Sequence, residues 1–160
     1  MVNEATITKE NVWKILEQVT DPEIPVLTIS DLGILRDIKI NSDEVEVIIT
    51  PTYTGCPAMD MIAMNIKLAL IENGYSNIKI TSVLAPAWTT DWMSEAGKRK
   101  LKEYGIAAPD KRFVIATDAV ACPRCNSSNT KLISEFGSTA CKALYQCNDC
   151  KEPFDYFKCH

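Results

Sequence analysis

The chain has 160 residues, 46% of them hydrophobic, which bounds it to one domain or one domain plus a small appendage. Twenty-one acidic residues against seventeen basic ones leave a formal net charge of −4, so there is no general attraction to nucleic acid. No segment has the apolar length needed to span a bilayer, and Met1-Val2-Asn3-Glu4 lacks the basic-then-apolar start of a secretory signal. A soluble cytoplasmic protein is expected, with no membrane partner. In that reducing compartment the seven cysteines read as ligands or reactive thiols before they read as bridges.

The first element is helical. Val12, Ile15, Leu16 and Val19 recur on one helix face, with Thr8 placed to cap it. Asp21-Pro22 stops the helix and Pro25 keeps the next residues out of helical geometry, so an irregular loop is expected from Asp21 to Gly33. Ile34, Ile38 and Ile40 then share one side of a strand, with Arg36 as the exception. Asn41 to Glu44 makes a turn, and Val45, Val47 and Ile49 form the inner face of the return strand.

Gly55-Cys56-Pro57 opens a long helix running to about Asn73, with Gly74 as its stop. Ala58, Met61, Ile62, Asn65, Ile66, Leu68, Ala69 and Leu70 make it apolar over most of its surface, and heavy packing on the sheet is expected, with the methionines as adaptable core. Ile78, Ile80 and Leu84 mark a third strand ended by Pro86. A last helix, Asp91 to Tyr104, should bury Met93, Ala96, Leu101 and Tyr104 and end at Gly105. Lys98, Arg99, Lys100 and Lys102 favour its C-terminal dipole. The order helix, hairpin, helix, strand, helix predicts an α+β two-layer domain over residues 1–106. A connector at 107–117 leads to a small module at 118–160.

That module carries two thiol pairs, Cys122-Pro-Arg-Cys125 and Cys147-Asn-Asp-Cys150. Two intervening residues let both sulfurs of a pair turn toward one point, and the linking stretch has room for a small hairpin. The spacing is close to the tetrathiolate zinc pattern, slightly beyond its usual range. Zinc suits four thiolates in a closed, redox-silent site; iron fits the same ligands, and two disulfides are the alternative. A structural zinc ribbon is the expectation, its ligands Cys122, Cys125, Cys147 and Cys150. Cys141 would be a fifth thiolate, and Cys159 and His160 end the sequence.

Cys56, between Gly55 and Pro57, should sit at the N-cap of the long helix. Unpaired N–H groups and the positive end of the helix dipole there favour thiolate, the form that attacks electrophiles or ligates a soft metal. A buried cysteine set by packing is the alternative. Asp21, Glu23 and Asp31 add carboxylates to the first loop, where Asx turns account for most such residues. Trp88 and Trp92 read first as packing. One histidine, no glycine-rich phosphate loop and no serine elbow leave no catalytic set, so no catalytic residue is assigned.

Asp21–Val26 (Asp-Pro-Glu-Ile-Pro-Val), Asp31–Ile34 (Asp-Leu-Gly-Ile), Thr54–Pro57 (Thr-Gly-Cys-Pro) and Pro86-Ala-Trp88 followed by Met93-Ser-Glu95 together resemble the MIP18 (DUF59) family. That resemblance covers roughly Thr8 to Gly105. Phe136 to Tyr145 and Phe154 to Lys158 resemble the D-subunit family of the bacterial phenylacetyl-CoA epoxidase, or ring-oxygenase, system. The resemblance implies an accessory factor for iron–sulfur or metal-centre maturation in phenylacetate catabolism. It also implies Cys56 as the functional thiol, with Asp21 and Thr54 of the same motifs as candidate thiol or metal-transfer residues. A transient iron or iron–sulfur cluster at Cys56 is the implied cargo. The oxygenase components, above all the iron–sulfur reductase, are the implied partners.

The absence of paired Glu-x-x-His motifs agrees with an accessory role. Three alternatives stay open: a working, non-catalytic component of the oxygenase complex, a nucleic-acid-binding ribbon and a thiol oxidoreductase. For the second, Arg124, Lys131, Lys142, Lys151 and Lys158 are balanced by Asp118, Glu135, Asp149, Glu152 and Asp155, leaving no charge to neutralise phosphates. Self-association is open as well.

Overall fold

A computed structural model describes residues 7–109 and 120–157. Most of the expected connector, together with Cys159 and His160, lies outside the described residues. The fold is α+β, in two units, Met1–Trp88 and Thr89–His160.

In the first unit, α1 (Lys9–Leu16) begins where the Thr8 hydroxyl accepts from the Asn11 N–H, and it buries Val12 and Leu16. It ends a turn earlier than the apolar spacing suggests, and Val19 joins the loop core instead. β1 (Leu35–Asn41) and β2 (Glu44–Ile49) form the expected antiparallel hairpin. The Arg36 exception has a structural cause: the register slips between Leu35 and Asp37, so an extra residue bulges out and Leu35 turns inward. Val45, Val47 and Ile49 are fully buried, as their alternation requires.

α2 (Ala58–Glu72) crosses over to β3 (Asn77–Ser82), which pairs parallel to β2 in the sheet order β1-β2-β3. Gly74 follows α2 in the left-handed region, with φ of 89°. Leu84 falls beyond β3 and is exposed. One side of α2 (Ala58, Ile62, Ile66 and Leu70) is buried, and the helix packs on α1 and β3. The heavy packing expected of this helix, with its methionines in the core, holds for one side only: Met61, Met64, Leu68 and Ile71 are exposed. A helix lying on a sheet buries one stripe only.

In the second unit a short 3-10 turn, Thr90–Trp92, precedes α3 (Glu95–Tyr104). The Ser94 hydroxyl caps α3 by accepting from the Gly97 N–H at 2.9 Å. Leu101 and Met93 are buried, whereas Tyr104 is exposed. β4 (Ile106–Ala107) follows Gly105 directly and pairs parallel to β7 (Pro153–Phe157). With β5 (Thr130–Ser134) and β6 (Lys142–Cys147) it makes a second sheet, ordered β4-β7-β6-β5. α3 packs on β4, so the unit boundary falls at Trp88, ahead of the sequence expectation of residue 106. Ala107, Cys122, Ala143, Tyr145, Cys147 and Phe154 form the small core of this unit. No helix among the described residues is long and apolar enough to cross a membrane.

Candidate metal centre and thiol turn

The two thiol pairs meet. The Sγ atoms of Cys122, Cys125, Cys147 and Cys150 all lie within 4.8 Å of one another, with Cys122 to Cys150 at 3.7 Å and Cys125 to Cys147 at 3.5 Å. Four sulfurs about 2.3 Å from a central ion would stand about 3.8 Å apart at tetrahedral angles, so the sulfurs are spaced to hold one.

The two knuckles repeat one backbone design. The Cys122 N–H donates to Ser127 C=O at 2.9 Å, and the Cys147 N–H donates to Glu152 C=O at 3.0 Å, each bond closing on the fifth residue ahead. The residue after each second cysteine is left-handed, Asn126 with φ of 61° and Lys151 with φ of 66°. This curl turns the peptide N–H groups toward the sulfurs. The N–H groups of Cys150 and Asp149 hold the Cys147 thiol down to about 7. The Ser127 N–H pulls Cys125 the same way, but the neighbouring thiols and burial push it up to about 12. Thiolates this close cannot all ionise alone; a divalent cation removes the conflict. The group is therefore a metal-binding set, and Cys141 stands outside it, buried and 3.0 Å from the Thr139 hydroxyl.

Sequence reasoning missed a clamp outside these ligands. The Ser127 hydroxyl donates to the Asp149 carboxylate, and Asn129 Nδ2 donates to Asp149 Oδ1 at 2.9 Å. Asn148 Nδ2 donates to Asn129 Oδ1 at 3.0 Å, and the Asn148 N–H to Asn129 C=O at 2.8 Å. The first knuckle is thereby tied to the second by side chains that are not themselves part of the four-sulfur group. The donors from Ser127 and Asn129 hold the Asp149 carboxyl below its ordinary value. The signal for it was present as Asn and Ser clustered just after the first thiol pair, at 126–129, and Asn-Asp inside the second, at 148–149.

Within the first unit, the motifs at residues 21–26, 31–34, 54–57 and 86–88 lie on segments that leave or enter one end of the sheet, while Met93-Ser-Glu95 belongs to the second unit. The start of β1, the end of β2 and the end of β3 coincide, since Leu35 and Ser82 both pair with Ile49. The loop before β1 therefore shares one sheet end with the segments after β2 and β3. Hydrogen bonds join the three segments: Thr50 N–H to Ile34 C=O at 2.9 Å, Val83 N–H to Ile49 C=O at 2.9 Å and the Trp88 indole N–H to Leu32 C=O at 2.8 Å. Trp88 is 4% exposed, which bears out the packing reading.

Asp21 sits in the first of these segments. Its Oδ1 accepts from the N–H groups of Glu23 at 2.7 Å and Ile24 at 2.8 Å, the Asx geometry that folds the loop. Asp31 and Thr28 exchange side-chain to backbone bonds in the same way. Thr54, Gly55 and Cys56 occupy the segment after β2. Thr54 is exposed, Cys56 is half-buried, and Gly55 adopts φ of 79°, a left-handed turn that glycine takes at no cost. The N-cap position itself belongs to Pro57, so Cys56 lies one residue ahead of the expected place. Its carbonyl still accepts from the Met59 N–H at 3.2 Å, which keeps the residue at the mouth of α2. Among the described residues no metal-binding group of three or more includes Cys56 or Asp21.

Comparisons with known proteins agree with both halves of this arrangement. A family described as "PaaD zinc beta ribbon domain" matches residues 108–158, and one described as "Iron-sulfur cluster assembly protein" matches residues 9–74. The chain is 50% identical to the Escherichia coli K12 protein named as the D-subunit of a "Putative 1,2-phenylacetyl-CoA epoxidase", over 92% of this chain and 91% of that one. It is 35% identical to a Porphyromonas gingivalis "Fe-S protein maturation auxiliary factor", over 63% of this chain and 97% of the relative. The crystal structure of a DUF59 domain from Bacillus anthracis superposes with a TM-score of 0.55 at 28% identity, covering 58% of this chain and 90% of that one. An N-terminal assembly-type domain joined to this ribbon, matched nearly end to end, means that the chain belongs to the D-subunit family of the 1,2-phenylacetyl-CoA epoxidase.

Proposed function

We propose that the protein is a non-enzymatic maturation factor for a phenylacetyl-CoA oxygenase system, serving a metal centre of one of its components. The observation that carries this reading is the turn at Cys56. Cys56 is half-buried in the segment after β2, beside the other motifs of the first unit, and among the described residues no group of three or more metal-binding side chains includes it. A single open thiol suits cargo in transit rather than a permanent site.

Iron, or an iron–sulfur cluster, is the cargo. Cys56 thiolate forms one iron–sulfur bond, and a client thiolate displaces it; the exchange moves no electrons. The remaining ligands of the cargo come from donor or client. Asp21 shapes the adjoining loop, and Thr54 lines the same turn as the thiol. The names of the relatives, a maturation auxiliary factor and an epoxidase component, support this pairing of role and client. The four-cysteine site holds zinc in this reading, closed and redox-silent. It stiffens a module whose buried core is too small to fold well without metal.

The test compares cells with the wild-type chain, with Cys56→Ser and with none. Cluster content of the reductase and ring-oxygenation activity are measured together. Cys56→Ser should lower cluster content while the oxygenase polypeptides still accumulate. Unchanged cluster content with lost activity, restored by adding the purified chain, would overturn the proposal and make the chain a working component of the complex.

A further inference from the structure

The outward side of α2 has a spacing that its sheet-facing side does not need. Met61, Met64, Leu68 and Ile71 are 49%, 57%, 50% and 56% exposed, and they follow one another at intervals of three, four and three residues. That is the a/d seam of a coiled coil, Met61 and Leu68 at a, Met64 and Ile71 at d. It lies on the opposite side from the buried stripe of Ala58, Ile62, Ile66 and Leu70. A run of large apolar side chains held out to solvent in line is an interaction surface.

The flanking positions identify the occupant. In this frame Asp60 and Lys67 stand at g, Asn65 and Glu72 at e. Two parallel copies of α2 would bring each g residue beside the e residue five positions ahead on the other copy. Lys67 would then meet Glu72 of the second copy, and Asp60 would meet Asn65 of the second copy, twice each by symmetry. An antiparallel pair would instead set Lys67 against Lys67 of the second copy. Neither Lys67 nor Glu72 has an ion-pair partner among the described residues. Attraction on both flanks favours a self-complementary parallel pair.

We propose that the chain forms a homodimer through parallel pairing of α2, with Met61, Met64, Leu68 and Ile71 as its seam. Three turns of helix make a small interface, so the dimer is weak, with a dissociation constant on the order of micromolar to tens of micromolar. Parallel pairing also places the two Cys56 turns at the same end of the dimer.

Sedimentation equilibrium of the full chain across a concentration series tests the pairing without reference to Cys56. The wild type should show a monomer–dimer equilibrium. Leu68→Asp should remain monomeric, with an unchanged circular dichroism spectrum because the site is exposed. Lys67→Glu and Glu72→Lys should each weaken the dimer roughly three- to tenfold, and combining them should restore it, since the pairs re-form with reversed sign. A wild type monomeric at all concentrations, or a Leu68→Asp dimer as tight as wild type, overturns the proposal. So does a double charge reversal no tighter than the singles. Each of these failures leaves the maturation reading standing, and loss of cluster delivery on Cys56→Ser in a protein that still dimerises would leave the pairing standing.

Discussion

Replacing Asp21 by alanine separates a loop-folding carboxylate from one that handles cargo. Its Oδ1 takes two backbone N–H groups, at 2.7 and 2.8 Å, and the second belongs to Ile24, which is 1% exposed. Hydrogen bonds to a charged acceptor contribute roughly 1.5 kcal/mol or more each, so losing both costs about 3 kcal/mol. Asp21→Asn keeps a neutral acceptor in place and should cost about 1 kcal/mol. Urea unfolding followed by tryptophan fluorescence reads the difference. With a denaturant slope of about 1 kcal/mol per molar, the transition should fall by about 3 M for alanine and about 1 M for asparagine. The backbone N–H groups of Ile24, Leu27 and Ile29, bonded within this loop, should lose protection in amide exchange first. An alanine variant that unfolds with the wild type yet fails to deliver a cluster would refute the reasoning, because the carboxylate would then be acting on the cargo.

Three further outcomes follow from the geometry. Removing the ribbon metal by chelation should raise amide exchange throughout β5, β6 and β7 while residues 7–88 keep their protection; equal exchange with and without metal would contradict the folding role of the ion. Asp149→Ala should release metal to a competing chelator roughly tenfold faster, because the clamp from Ser127 and Asn129 is gone, whereas Asp149→Asn should change the rate much less. Glu46 is held below its usual 4.5 by the Thr81 hydroxyl at 2.6 Å and then by Lys79. Its stabilisation is thus present above the unfolded value and lost as pH falls through the folded one. Thr81→Val should move the acid-unfolding midpoint to higher pH, and an unmoved midpoint would remove Glu46 from the account.

Much of this was legible in the chain because local rules carry it. The capping hydroxyl of Thr8, the alternation of Val45, Val47 and Ile49, and the left-handed stop at Gly74 need no tertiary context. The gathering of four thiols was legible because two short thiol spacings encode two knuckles. What could not be read depends on which of two apolar faces finds a neighbour. Met61 and Ile62 are both large apolar residues, and what packs beneath α2 decides that one is 49% exposed and the other fully buried. The bulge at Arg36 likewise arises from a pairing partner fourteen residues and a turn away, since Leu35 opposes Ile49. The clamp on the knuckles joins residues nineteen to twenty-two apart, and no periodicity announces it.

The parallel pairing of Ile106 and Ala107 with Asp155 and Tyr156 has a consequence for synthesis. A ribosome releases β4 long before β7 exists, and β7 follows the second knuckle, so β4 waits for almost the whole ribbon to be translated. The first unit, complete at Trp88, can fold while the rest is still being made. The second cannot close its sheet on a shortened chain, nor hold β7 firmly before metal joins the knuckles. Any premature stop inside the ribbon would therefore leave β4 an unpaired edge directly after α3, a feature by which quality control could recognise an unfinished chain.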